Sequence, residues 1–210
     1  VWDAARVSLV IDHAAPAPNE RISNLHMLMR DFAQEQGIRL YDIGAGICHQ
    51  LIVENHHVRP GDIFLGADSH SPTYGAVNSF AVGVGSTDLA AVLLTGQTWL
   101  KVPQSIKIVL DGTLPLQVSA KDVILFLVGQ LGVAGATYEA VEFHGSAVRE
   151  MTLASRMVLA NMVAEMGAKT GLVHPDGLRL PYDFDPVLPD SAADYAGAFQ
   201  FDVSGLRPQI

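Results

Sequence analysis

The stretch that decides the fold runs from Val7 to Ile43. It opens Val7-Ser8-Leu9-Val10-Ile11-Asp12-His13 and passes into Asn19-Glu20-Arg21-Ile22-Ser23-Asn24-Leu25-His26-Met27-Leu28-Met29-Arg30-Asp31-Phe32. It closes Gly37-Ile38-Arg39-Leu40-Tyr41-Asp42-Ile43. Val7–Ile11 is a short run of β-branched and aliphatic residues and reads as a strand. Asn19 can cap a helix over Glu20–Gln36, and Gly37 is a natural stop. Ile22, Leu25, Leu28, Met29 and Phe32 recur at spacings of three and four, so they are the expected buried stripe. Ile38–Ile43 returns as a strand. Strand, helix, strand at this spacing is the unit of a parallel sheet.

The same alternation continues along the chain. Asp62–Leu65, Ser105–Leu110 and Val141–Phe143 read as strands. Ser86 or Thr87 can cap a helix through Leu94, and Ser119 caps Ala120–Leu131. Met151–Met166 reads as the last helix. The expected fold is therefore α/β, a three-layer α/β/α arrangement with a mainly parallel sheet. A composition shift near Gly112–Pro115 suggests a first subdomain over residues 1–112 and a second over residues 113–210. From His174 onward the chain is rich in Pro, Asp and Gly, and reads as an extended connector.

Composition narrows the function classes. Of 210 residues, 49% are hydrophobic and 17% charged, which excludes disorder and points either to extensive burial or to surface that meets another domain or subunit. No apolar run approaches the ~20 residues of a membrane-spanning helix. A net charge of −9 argues against a nucleic-acid partner, which selects a basic face. The one cysteine, Cys48, excludes an internal disulfide and any all-cysteine metal site within this chain. The chain does not open with Met and shows no signal-like segment; it reads as a piece of a longer or processed protein.

Four places carry groups that packing does not require. Asp12-His13 follows the first strand. Gly44-Ala45-Gly46-Ile47-Cys48-His49 follows the second. Gly66-Ala67-Asp68-Ser69-His70 follows the third. Asn161 and Glu165 stand four apart in the last helix. Ligand sites in open α/β sheets gather beyond the carboxyl ends of strands. A carboxylate on one imidazole nitrogen fixes the tautomer and raises the basicity of the other, which suits proton transfer near neutral pH. Each group also has a structural reading: a solvated turn for Asp12-His13, a carbonyl-bonded histidine for His49, a turn for Asp68-Ser69-His70, and a solvated helix residue paired with Lys169 for Glu165. Val163, Ala164 and Met166 around Glu165 favour its burial. His26, His56, His57, His144 and His174 read as structural or surface. Gly83-Val84-Gly85-Ser86-Thr87-Asp88 is not a dinucleotide loop, because Asp88 stands where the third glycine belongs.

Several ordered strings resemble the aconitase superfamily, and within it the large-subunit branch of the 3-isopropylmalate dehydratases and homoaconitases. They are Asp12-His13, Gly46-Ile47-Cys48-His49-Gln50, Ala67-Asp68-Ser69-His70-Ser71-Pro72-Thr73, Gly83-Val84-Gly85-Ser86-Thr87-Asp88, and Asn161-Met162-Val163-Ala164-Glu165-Met166-Gly167-Ala168. The resemblance covers nearly the whole chain. It implies a cytoplasmic hydro-lyase that removes and re-adds water on a hydroxy di- or tricarboxylic acid such as 3-isopropylmalate or homocitrate. It implies three acid–histidine pairs: Asp12 with His13, Asp68 with His49, and Glu165 with His70. His13 would protonate the departing hydroxyl, Ser69 would contact substrate, and Asn161 would lie near a [4Fe-4S] cluster. The cluster's cysteine ligands, the serine base and the substrate-gripping arginines have no counterpart here. They are expected in a later segment and in a small swivelling subunit. Alone, these 210 residues are expected to be inactive and to hold no cluster. Two other classes remain: a metal-dependent hydrolase built on the Asp/His/Glu groups, and a non-catalytic assembly module.

Overall fold

The computed structural model describes residues 1–209. Every strand pair is parallel, and strands alternate with helices, so the fold is mixed α/β. The chain divides into two compact units. One comprises Val1–His57 and Gly85–Trp99; the other comprises Val58–Val84 and the chain from Leu100 onward. This differs from a division at residue 112, because strands on both sides of Gly112–Pro115 pair in a single sheet.

In the first unit, β1 (Ser8–Val10) pairs with β2 (Arg39–Tyr41). Between them runs α1 (Glu20–Gln36). Its boundaries follow from local chemistry. Asn19 takes the Ile22 amide on its side chain, and Gly37 adopts the left-handed conformation that ends the helix. The expected stripe is met in part: Ile22, Met29 and Phe32 are partly buried beside the buried His26 and Ala33, whereas Leu25 and Leu28 are 47% and 63% exposed. The unit also holds α2 (Cys48–Glu54) and α3 (Ser86–Thr95). The residue that caps α3 is Gly85 rather than Ser86 or Thr87, and it offers no side-chain oxygen.

The second unit contains β3 (Ile63–Gly66) paired with β4 (Phe80–Gly83), and a 3-10 segment, Ser71–Val77, between them. Its larger sheet joins β5 (Ser105–Asp111), β6 (Ala140–His144), β7 (Thr170–Val173) and β8 (Gly197–Asp202) in the order β7-β6-β5-β8. β5 alternates strictly: Ile106, Ile108 and Leu110 are buried, while Ser105, Lys107 and Val109 are less so. Against the buried face pack α4 (Ala120–Leu131), the short α5 (Ser146–Arg149) and α6 (Leu153–Met162). Ile108, Leu110, Phe143, Val123, Leu127 and Leu159 are fully enclosed there. Each such side chain contributes roughly 1.5–3 kcal/mol, so packing outweighs the Ser119–Asp122 capping box that starts α4.

Several elements differ from the sequence expectation, among them α2, β4 and α5, which it did not foresee. The predicted helix Met151–Met166 is α6 followed by a 3-10 turn, Val163–Met166. β7 follows directly. The tail after His174 is not all connector, since β8 pairs with β5 over six residues. The edge at β7 is met by the Ser71–Val77 segment at glycine. A Cβ on Gly75 would stand 1.6 Å from the Gly171 carbonyl oxygen, so no side chain fits there.

Arg156 is fully buried, and its guanidinium donates to the carbonyls of Met151, His174, Val148, Arg149 and Asp176. Among the described residues no helix is long and apolar enough to cross a membrane.

Candidate active site

In the first unit, Asp12 lies immediately past β1. Its Oδ1 meets His13 Nδ1 at 2.8 Å, and its Oδ2 accepts the Cys48 backbone N–H at 2.6 Å. The helix start at Ile47 has no side chain of its own as a cap. Asp12 therefore supplies from 36 residues away the acceptor that the first turn of α2 lacks. Only 9% of the Asp12 side chain is exposed, against 76% of His13. Partial burial pushes the Asp12 carboxyl up, but the Cys48 amide and the His13 ring pull it down further, and it sits below the ordinary aspartate range. An ionised carboxylate on Nδ1 fixes the ring and leaves Nε2 as its proton-exchanging atom. His49 is the second residue of α2, and Cys48 the first. The two stand on the first turn of a helix.

In the second unit, the turn after β3 carries Asp68, Ser69 and His70. It is held by its own backbone. Asp68 Oδ1 accepts the His70 N–H at 2.7 Å, Ser71 Oγ donates to the Asp68 carbonyl at 2.7 Å, and Thr73 Oγ1 donates to the His70 carbonyl at 2.6 Å. Gly83, at the end of β4, is required by close approach: a Cβ there would stand 2.7 Å from the Asp68 carbonyl oxygen. His70 Nε2 lies 3.3 Å from Glu165 Oε1, and its Nδ1 lies 3.2 Å from Ser69 Oγ. With Glu165 accepting from Nε2–H, Nδ1 can accept from the Ser69 hydroxyl, so one imidazole links an acid to an alcohol. Asn161, at the end of α6, donates Nδ2–H to Thr73 Oγ1 at 2.9 Å and so braces the same turn.

The expectation for Glu165 is half met. It faces His70, not Lys169. It is not buried, however: 54% of its side chain is exposed. The 3-10 turn sends Val163 and Met166 into the core and leaves Glu165 outside it. Asp68 and His49 belong to different units.

Thr73 escaped the sequence reading, although its place in the Ser71-Pro72-Thr73 string gave a signal. So did the pairing of His144, whose Nε2 lies 3.3 Å from Glu142 Oε2. Residues two apart on a strand share a face, and that spacing is visible in the sequence.

A cleft of about 340 Å³ lies in the second unit, lined by Ala67, Asp68, Ser69, Pro72, Gly83, Val84, Ala168 and Lys169. The residues of this chain do not fit an iron–sulfur cluster. A cluster is held by thiolates, and the sequence has one cysteine. Among the described residues, no three His, Cys, Asp or Glu side chains gather so as to hold a metal ion.

Fold and site together define an α/β protein that sets acid–imidazole pairs in the turns beyond parallel strands. The chain belongs to the aconitase family: residues 3–182 match the model of the Aconitase family (aconitate hydratase). It is 47% identical over 218 residues to 3-isopropylmalate dehydratase large subunit 1 of Methanopyrus kandleri, covering 100% of this chain and 52% of that protein. It is 45% identical over 218 residues to a probable methanogen homoaconitase large subunit of Methanosarcina mazei, covering 100% of this chain and 56% of that protein. Identity to the 3-isopropylmalate dehydratase large subunit of Elusimicrobium minutum is 47% over 214 residues, covering 98% and 51% respectively. The chain thus spans about half the length of the curated relatives it matches.

Proposed function

We propose that this chain forms the acid–histidine part of a cytoplasmic hydro-lyase that dehydrates and rehydrates a hydroxy di- or tricarboxylic acid, 3-isopropylmalate or homocitrate. The observation that carries the reading is the Asp12–His13 pair at 2.8 Å, in which the acid is enclosed and the imidazole is presented. Hydroxide is a poor leaving group near neutral pH, so the departing oxygen must take a proton. An imidazolium stabilised by an ionised carboxylate is suited to give it, a step typically worth roughly 10² to 10⁴ in rate. His70, tied to Glu165 and Ser69, is a second proton carrier in the same reading. Ser69 as a substrate contact and Asn161 beside a cluster belong to the same reading.

The thiolates of a [4Fe-4S] cluster would come from outside these 210 residues, because Cys48 alone cannot supply them. A small subunit is the natural partner, in keeping with the names of relatives that are called large subunits.

The test is turnover of both acids by the full-length protein with matched cofactor content. His13→Ala is expected to lower kcat by about 10² to 10⁴, the contribution of a positioned general acid. His56→Ala is expected to stay within about twofold, since His56 is exposed and outside the pair. Equal activity in the two variants rejects the assignment.

A further inference from the structure

We propose that Lys169 is the carboxylate-binding residue of the cleft that holds Asp68 and Ser69. This deepens the hydro-lyase reading and rests on it for the identity of the ligand, but not for the presence of an anion site.

Lys169 stands immediately before β7, its backbone N–H donated to the Glu139 carbonyl at 2.8 Å. Its side chain lines the 340 Å³ cleft, and it is the cation among the lining residues. What the ammonium touches is weak. Nζ lies 3.5 Å from the Gly83 carbonyl oxygen, at the limit of a hydrogen bond, and 5.7 Å from the centre of the Tyr138 ring. An ammonium has three donors, so most of its bonding capacity remains to be used. Among the described residues its Nζ makes no ion pair, in a protein with 22 acidic and 13 basic side chains. The acid that helical spacing offers it is Glu165, four positions earlier, and Glu165 turns to His70 instead. A half-buried cation without a counter-ion is costly unless a ligand supplies the charge.

The support under Lys169 is strained. Tyr138 has a φ of +63°, a left-handed conformation that is rare for a bulky residue. It is kept there by its N–H on the Gly167 carbonyl at 3.0 Å and its hydroxyl on the Lys101 carbonyl at 3.3 Å. Local strain of this kind persists where the surroundings over-determine it, and it clusters at ligand sites. Its effect here is to lay an aromatic face beside Lys169, which holds the charge without neutralising it.

The cleft suits a small acid. Its volume lies at the low end of the roughly 300–1,000 Å³ of small-molecule sites. Asp68 already spends one carboxylate oxygen on the His70 amide. Ser69 offers a hydroxyl on the same lining. A ligand carrying a carboxylate and a hydroxyl can therefore meet Lys169 with the first and Ser69 with the second.

The experiment uses the full-length protein and two probes, succinate and its neutral dimethyl ester, titrated by calorimetry. Wild type is expected to bind succinate and not the ester. Lys169→Met is expected to weaken succinate binding about tenfold or more, the usual scale of a lost charge-assisted bond. Lys169→Arg is expected to keep more succinate affinity than Lys169→Met, because the charge is retained while the guanidinium differs in shape and reach. Lys169→Gln repeats the measurement should the Met variant fail to fold. In turnover, Lys169→Met is expected to raise KM while leaving kcat near wild type. Equal succinate affinity in wild type and the uncharged variants overturns the proposal, as does wild type that ignores succinate. Turnover of a hydroxy acid with no dependence on Lys169 overturns the proposal and leaves the hydro-lyase reading standing. Lys169-dependent succinate binding without turnover of either acid does the reverse.

Discussion

The two acid–imidazole pairs are built on opposite plans. In the first unit the acid and the imidazole are neighbours in sequence, 2.8 Å apart, with the carboxylate enclosed and the ring exposed. In the second, the partners are 95 residues apart and 3.3 Å apart, with a ring 34% exposed and an acid 54% exposed. The difference is one of leverage. An enclosed carboxylate bonded to two fixed donors cannot turn away, and its charge is little screened. A solvated glutamate shares its charge with water, and exposed pairs of this kind are worth little. Asp12 is therefore the stronger orienting group, and Glu165 the more easily replaced.

That contrast can be broken by paired substitutions in the full-length protein. Asp12→Asn should cost more turnover than Glu165→Gln, by about tenfold or more, since an amide favours the wrong tautomer of His13. Equal losses in kcat, at matched cofactor content, would mean that exposure does not rank the two acids. Next in size is Gly83→Ala, aimed at the second pair through its turn. Its Cβ would press on the Asp68 carbonyl, and relieving that overlap should cost about 1–3 kcal/mol of stability, as overpacking usually does. Denaturant unfolding measures it, and an unchanged midpoint would show that the turn after β3 yields freely. The smallest effect concerns pH. The Asp12 carboxyl lies below its ordinary range in the folded chain. Its contribution is therefore complete above the usual aspartate pKa and is lost as pH falls through the lowered value. The stability gap between wild type and Asp12→Asn should be widest from pH 5 to 7 and narrow below the ordinary aspartate range. A gap that widens in acid would contradict this.

Legibility in the sequence follows the same division between near and far. α1 was readable to the residue because Asn19 and Gly37 act on adjacent backbone. The face it buries was legible only in part, since nothing local distinguishes Leu25 and Leu28 from His26 and Ala33 as partners of a distant surface. Asp12-His13 was legible as a pair. His70 with Glu165 came only from the family resemblance, because 95 residues of chain must fold before the two meet. Glu165 looked enclosed because its neighbours are apolar, but a 3-10 turn has a different angular step from the α-helix that was assumed. β8 was hidden by the Pro- and Asp-rich chain before it. Even so, Phe199, Gln200, Phe201 and Asp202 alternate apolar and polar with the period of a strand.

Polar residues placed for chemistry commonly weaken the fold that carries them. Asp12 is arranged otherwise. One of its oxygens holds an imidazole and the other begins a helix that lacks a cap of its own. On the proposed function, selection for a folded chain and selection for a working one act on this position in the same direction. An aspartate so placed has little room to drift, because any replacement is penalised twice, once for each oxygen.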